Sequence, residues 1–187
     1  ILHLEWRKQP VVTLKEAMTI LDCSPVHARQ ILHKLAQRRW LARIKNGVYE
    51  LIPAERGEYA FPDTNPLFIG SYLVSPYYFS FATAAFFHGL STQAAATVYI
   101  ATSKIKGQQL LTVRDKTYRL VILPGHKFFG AMEVDAYGSR VWMAKREKTI
   151  IDALDHPEHA GDIPEIAGML WRSQGQLDWT RIADYAL

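Results

Sequence analysis

The sequence predicts an α+β protein of two domains, a small one of helices and a hairpin followed by a larger one of mixed strands and helices. Of its 187 residues, 49% are hydrophobic, which is enough for one large or two small cores. Two closely spaced helical segments and a hairpin signal open the chain, and strand-like segments flanked by helical ones fill the rest. We therefore expect domains at 1–56 and 57–187.

The first domain starts with two helices separated by a short turn. Thr13 and Glu16 have the spacing of a capping box, so a helix should begin there. Asp22 lies in the turn and tolerates a left-handed backbone. Ser24 supplies an N-cap for a second helix at Pro25–Arg39. One apolar stripe runs along that helix, formed by Ala28, Ile31, Leu32 and Leu35.

A hairpin signal follows the second helix directly. Trp40–Ile44 and Val48–Ile52 alternate in polarity, and Asn46-Gly47 between them is typical of a two-residue hairpin loop. Two helices followed by such a hairpin predict a winged helix-turn-helix, with the hairpin as the wing.

The exposed face of the second helix is predicted to bind DNA. Residues 23–49 contain no acidic side chain, which favours a surface that meets phosphates over an ordinary solvated helix. We expect base and phosphate contacts from the helix and its wing, through Ser24, Val26, His27, Arg29, Gln30, His33, Lys34, Arg43 and Lys45. The alternative is a winged helix that serves as a protein docking module.

The second domain is predicted to be mixed. Residues 57–70 have the composition of a connection. Helices are expected at Phe79–Phe87, where Gly89 provides a cap, and near the end of the chain at Lys145–Leu154 and Pro164–Trp171. Strands are expected between them at Thr97–Ala101, Thr117–Leu123, Met132–Tyr137 and Arg140–Met143.

Charge is distributed in blocks along the chain. Residues 1–56 carry 10 basic and 5 acidic side chains, residues 101–148 carry 10 and 4, and residues 149–187 carry 2 and 7. Such blocks favour charged partners. The basic stretch of the second domain is either a solvated hairpin or a second contact to DNA or a protein. Its candidate partner-binding residues are Lys104, Lys106, Arg114 and Arg119.

Short motifs along nearly the whole chain resemble the AbiEi abortive-infection antitoxins. They include Gly47–Leu51, Tyr78–Ser80, Ala84-Ala85, His88–Leu90, Val98–Thr102, Phe128–Gly130 and Arg146–Glu158 with Ala160-Gly161. The resemblance implies an antitoxin-like second domain that opposes a nucleotidyltransferase toxin. It also implies a regulator that represses its own operon. Since relatives often continue further and Leu187 closely follows the start of a helical segment, we expect the natural domain to extend past Leu187.

The second domain is not expected to be an enzyme. Asp152, Asp155, His156, Glu158 and His159 are interpreted as a helix end and a proline turn, with no metal site and no cofactor. Like the other acidic residues of 133–159, they are expected at exposed positions. His88 is interpreted as a capping or core-satisfied histidine, and Cys23 as a small residue of the turn.

The runner-up function is a metal-dependent nuclease of the restriction type, targeted by the winged helix. Its residues would be Glu133 and Asp135 with Lys145 and Lys148. The one cysteine and the absence of a signal-peptide pattern favour the cytoplasm, and the uncharged stretch 72–89 is too polar for a membrane span. The expected partner is double-stranded DNA of the protein's own promoter, with a dimer on inverted repeats.

Overall fold

The computed structural model describes residues 10–52, 65–104 and 107–187. The chain is of the α+β class, as predicted, and divides into two compact units at 1–65 and 66–187. The predicted domain boundary between residues 56 and 57 lies outside the described residues. In the described part of the chain, no helix is long and apolar enough to cross a membrane.

The first unit contains a strand, two helices and a hairpin. The elements are β1 (Val11–Thr13), α1 (Leu14–Leu21), α2 (Pro25–Gln37), β2 (Leu41–Lys45) and β3 (Val48–Leu51). The three strands form one antiparallel sheet in which β3 is central. Strand β1 was not predicted from the sequence, because a strand of three residues has too little alternation to recognise.

The capping signals of the first unit are confirmed. Thr13 N donates to Glu16 Oε2 at 2.7 Å, and Glu16 N donates to Thr13 Oγ1 at 3.2 Å. Asp22 ends α1 in the left-handed conformation, with φ 45°. Ser24 caps α2 by accepting from His27 N at 3.3 Å.

One small core holds the first unit together. The predicted stripe faces inward on α2, with Ala28 and Leu32 fully buried. Their partners are Val12, Ala17, Leu41 and Leu51, one or more from each of the other elements. Cys23 is half-buried and packs at the edge of this core, consistent with its role in the turn. Because the apolar stripe of α2 packs in the core, the other faces of the helix are available to a partner.

The second unit is a six-stranded sheet with helices. Its helices are α3 (Pro66–Ser71), α4 (Phe81–Phe87), α5 (Arg146–Asp155), α6 (Asp162–Arg172) and α7 (Trp179–Ala186). Its strands are β4 (Tyr78–Phe79), β5 (Thr97–Thr102), β6 (Leu110–Val113), β7 (Lys116–Ile122), β8 (Ala131–Ala136) and β9 (Ser139–Ala144).

The sheet mixes parallel and antiparallel pairs. Its strand order is β6-β7-β5-β4-β9-β8, with β5 parallel to β7 and β4 parallel to β9. Helix α5 packs against α4, α6 and α7. The core shared by α4, α5 and α6 includes Ala85, Leu90, Ile150, Ala153, Ile166 and Met169. The central strands therefore bring residues distant in the sequence next to α5.

Two sequence predictions are corrected around residues 65–80. Residues 66–70 were expected in a connection, but Pro66–Ser71 forms α3. Gly70 allows α3 to pack closely against β4, since a Cβ added at Gly70 would lie 2.9 Å from the ring of Phe79. The predicted helix at Phe79–Phe87 starts only at Phe81, because Phe79 pairs with both β5 and β9 as part of β4. Strand β6 was predicted only through the hairpin alternative for the basic stretch.

Candidate nucleic-acid interface

The outward face of α2 carries the helix residues predicted to contact DNA. Val26 is 62% exposed, a high value for an apolar side chain. The polar and basic members of this face are also exposed: Ser24, His27, Arg29, Gln30, His33 and Lys34. The structure thus places all seven predicted helix residues at the surface.

The hairpin β2–β3 presents two more of the predicted residues. Arg43 and Lys45 are exposed on β2. Gly47 turns the chain with φ 75°, a conformation that favours glycine. Its carbonyl accepts from Leu14 N at 2.7 Å, which ties the tip of the hairpin to the start of α1. The hairpin is therefore fixed to the helices rather than free to swing.

Helix α2 and the hairpin share one cleft. It has a volume of about 430 Å³, and its basic lining comes from Arg29 and His33 of α2 and Arg43 of β2. Asn46 and Tyr49 add polar groups from the hairpin. Two elements predicted separately from the sequence thus contribute to a single concave basic surface.

Three basic residues of α2 and the hairpin are not neutralised by described neighbours. In residues 10–52, 65–104 and 107–187, Arg29, Lys34 and Arg43 form no ion pair or hydrogen bond through their side chains. Glu50, on β3, is buried. Unpaired cations on an acid-free surface attract polyanions.

The predicted basic stretch of the second unit forms a hairpin in part. Strands β6 and β7 form an antiparallel pair in which Val113 lies opposite Lys116. Arg114 is exposed in the turn between them, with φ 57°. Lys104 is exposed and Arg119 is half-buried on β7. Lys106 lies outside the described residues. A contact from this hairpin to DNA or a protein stays a prediction.

A polar cluster is buried in the second unit. Lys148 Nζ lies 2.5 Å from Asp152 Oδ1, and Asp152 Oδ2 accepts from Ser80 Oγ at 2.6 Å and from Tyr78 Oη at 3.3 Å. Burial raises the pKa of the Asp152 carboxyl, and the neighbouring Lys148 opposes that rise. Lys148 also lies over the ring of Phe129, with Nζ 4.4 Å from its centre.

This cluster corrects the expectation that the acidic residues of 133–159 are exposed. Asp152 is 2% exposed and Glu147 is 6% exposed. Both lie on α5, which the sheet and three other helices cover. No local signal indicates the burial of Asp152, because its partners Tyr78 and Ser80 lie more than 70 residues away in the sequence.

The four residues of the nuclease hypothesis differ in how far they are buried. Glu133 and Asp135 are exposed on β8, where Asp135 Oδ1 accepts from Gly138 N at 2.9 Å. Lys145 is half-buried at the start of α5, whereas Lys148 is buried against Asp152. Lys148 is therefore paired with Asp152, and not with Glu133 or Asp135 as the nuclease hypothesis requires.

His88 has the structural role predicted for it, as a capping residue whose side chain has a hydrogen-bond partner. It caps the end of α4, and its Nε2 lies 2.7 Å from the carbonyl oxygen of Ala144. Burial lowers the pKa of His88, so the neutral imidazole is the favoured form. Such a histidine links α4 to the end of β9.

Comparisons of the chain with known protein families and with curated proteins find no match.

Proposed function

We propose that the protein is a cytoplasmic, DNA-binding transcriptional regulator whose first unit acts as a winged helix-turn-helix on its own promoter. The observation that carries the proposal is the cleft in which Arg29 and His33 of α2 meet Arg43 of the hairpin. A helix presenting polar side chains beside a fixed hairpin is the arrangement that reads base edges and holds flanking phosphates.

The two parts of this surface have different roles in the proposal. Gln30 and His33 project from α2 and contact base edges in the major groove. Arg43 and Lys45 contact phosphates beside that groove, which sets the position of the helix without reading the sequence. One such helix reads only a few base pairs, so two copies of the chain bind inverted repeats as a dimer on DNA.

A binding titration with a matched pair of variants tests this surface. Labelled duplex DNA from upstream of the gene is titrated with the full chain and with Arg43→Ala and Arg140→Ala. Both arginines are exposed on strands, but Arg140 lies on β9 of the second unit. We expect Arg43→Ala to weaken binding and Arg140→Ala to leave it unchanged. Equal effects of the two substitutions would contradict the proposed surface.

For the second unit we propose an antitoxin role that opposes a nucleotidyltransferase toxin. This part of the proposal is supported by the resemblance of its motifs to the AbiEi antitoxins and by its exposed basic residues Lys104 and Arg114. Blocks of one charge steer a partner of opposite charge.

Co-expression with the candidate toxin tests the antitoxin role. Cells expressing the toxin should be rescued by the full chain and by Gln30→Ala/His33→Ala, since those side chains belong to the DNA surface. Lys104→Glu/Arg114→Glu should reduce rescue while DNA binding is kept. Loss of rescue by the Gln30→Ala/His33→Ala variant, with the protein folded and equally abundant, would contradict a division of roles between the units.

A further inference from the structure

Three potential metal-ligating side chains meet in the turn after α5. A short 3-10 helix at Pro157–His159 follows His156, which ends α5. One ligand atom from each of His156, Glu158 and His159 lies within 4.8 Å of the other two. Two imidazoles and one carboxylate form a ligand set used for zinc and related divalent ions.

Two of the separations match those in a coordination sphere. Glu158 Oε1 lies 3.4 Å from His156 Nδ1 and 3.6 Å from His159 Nε2. Ligand atoms on a tetrahedral zinc ion, each about 2.0–2.1 Å from the metal, are separated by about 3.4 Å. The third separation, between nitrogens of the two imidazoles, is within 4.8 Å and must shorten when an ion binds.

Aromatic side chains hold the two imidazoles in place. The ring of Phe81 meets His156 edge to face at 6.0 Å and His159 at 5.5 Å, measured between ring centres. The ring centre of Tyr99, on β5, lies 5.3 Å from that of His159. Because Phe81 is fully buried, these contacts restrict the imidazoles before any ion binds and lower the entropy cost of binding.

A second carboxylate faces the outer nitrogen of His156. Asp155 Oδ2 lies 3.4 Å from His156 Nε2. Lys127 Nζ donates to both oxygens of Asp155, at 2.7 and 2.9 Å, and so holds that carboxylate in position. With Nε2 directed at Asp155, the other ring nitrogen, Nδ1, is left facing Glu158. A carboxylate behind a histidine is the usual outer arrangement of a metal site, where it fixes the tautomer.

We propose that His156 Nδ1, Glu158 and His159 Nε2 bind one divalent transition-metal ion of the zinc class. The three ligands occupy one side of the ion, and a water molecule completes a four-coordinate site on the exposed side of the turn. The nearby charge of Arg119 opposes a cation here, so the site binds less tightly than a closed structural zinc site. No metal site was predicted from the sequence, since no second ligand cluster accompanies this turn there, whereas the folded turn supplies three ligands itself.

Zinc titration of the full chain tests the proposal. The protein is freed of metal with a chelator, dialysed and titrated with ZnCl₂ in a calorimeter. Glu158→Gln removes one ligand without disturbing packed groups, and Asp162→Asn is the matched control. Asp162 is also exposed and also loses one negative charge, but it lies outside the cluster at a left-handed position that asparagine tolerates.

The expected result is saturable binding of a single equivalent of Zn²⁺, unchanged in Asp162→Asn and weakened at least about tenfold in Glu158→Gln. Asp155→Asn, which changes only the outer carboxylate, should weaken binding about 10–100-fold. Saturable binding that is absent, or that is equal in Glu158→Gln and the unsubstituted chain, would overturn the proposal.

Cobalt spectroscopy gives a readout that needs no variant. Co²⁺ bound by this ligand set should give the intense visible absorption of a four-coordinate ion and should be displaced by Zn²⁺. A spectrum of six-coordinate, water-bound Co²⁺ at a saturating concentration of protein would also overturn the proposal.

Discussion

Lys148 and Asp152 form an ion pair one helical turn apart on α5, and neither side chain is more than 3% exposed. Asp152 also accepts hydrogen bonds from Ser80 and Tyr78, so one carboxylate joins α5 to β4 and to the residue that precedes α4. The pair lies where the sheet meets the helices, so the loss of one partner should affect the stability of the second unit.

Removing one partner of this pair should be strongly destabilising. Lys148→Met leaves Asp152 charged and unpaired in a buried position, at a cost of about 3–5 kcal/mol in the free energy of unfolding. Chemical denaturation followed by circular dichroism measures the loss. The double variant Lys148→Met/Asp152→Asn removes both charges but keeps acceptors for Ser80 and Tyr78, so it should be more stable than Lys148→Met alone. Additive losses would show that the charges do not interact.

The capping box of α1 provides a test in the first unit. Thr13→Ala removes the acceptor for Glu16 N and should lower the free energy of unfolding of this unit by about 1 kcal/mol. Thr19→Ala is the matched control on the same helix, where the Thr19 hydroxyl bonds only the carbonyl of Lys15. That substitution should be neutral or slightly stabilising, since alanine favours helix. Thermal denaturation compares the two.

Stability should fall as the pH drops below about 6.5. Burial lowers the pKa of His88 below its ordinary value of 6.5, so the unfolded chain takes up a proton more readily than the folded one. The contribution of His88 is therefore fully present above its unfolded pKa and is lost as the pH falls towards its folded pKa. His159 shifts in the same direction, chiefly through burial.

A single substitution isolates the contribution of His88. His88→Gln keeps a donor for the carbonyl of Ala144 but does not titrate. Denaturation between pH 5 and 8, in the presence of a chelator, should show a smaller loss of stability in acid for His88→Gln than for the unsubstituted chain. An identical pH dependence in both would contradict the shift assigned to His88.

DNA affinity should depend steeply on salt. Each phosphate contact contributes a slope of about 0.9 in the plot of log affinity against log salt concentration. With Arg29, Lys34 and Arg43 each on a phosphate, the slope should decrease by about one in Arg43→Ala and stay unchanged in Arg140→Ala. A flat response for the unsubstituted chain would show that the basic surface of α2 and its hairpin does not bind DNA.

Local signals allowed much of the first unit to be predicted. The capping box at Thr13, the N-cap at Ser24 and the Asn46-Gly47 turn each depend on residues within four positions of one another, and the structure has an element boundary at each. Their chemistry is contained in the segment itself. The seven candidate DNA-contacting side chains of α2 and its N-cap are also all exposed, because helical periodicity assigns the buried stripe.

The second unit was less predictable because its decisive contacts are distant in sequence. Helix α3 is short and gains its stability by packing Gly70 against Phe79, and β4 exists because Phe79 pairs with strands on both sides. The burial of Asp152 depends on Tyr78 and Ser80. Nothing in the local pattern of α5 distinguishes that carboxylate from a solvated one, since an i, i+4 pair with Lys148 is common on exposed helices.

The most direct test of DNA recognition by the first unit is a comparison of two duplexes at physiological salt. The full chain should bind DNA from upstream of its gene about a thousandfold or more tighter than a scrambled duplex of the same composition. Gln30→Ala/His33→Ala should lose about 1–3 kcal/mol of that discrimination for each lost base contact while its weak binding to the scrambled duplex persists. Equal affinity of the unsubstituted chain for the two duplexes would contradict the account.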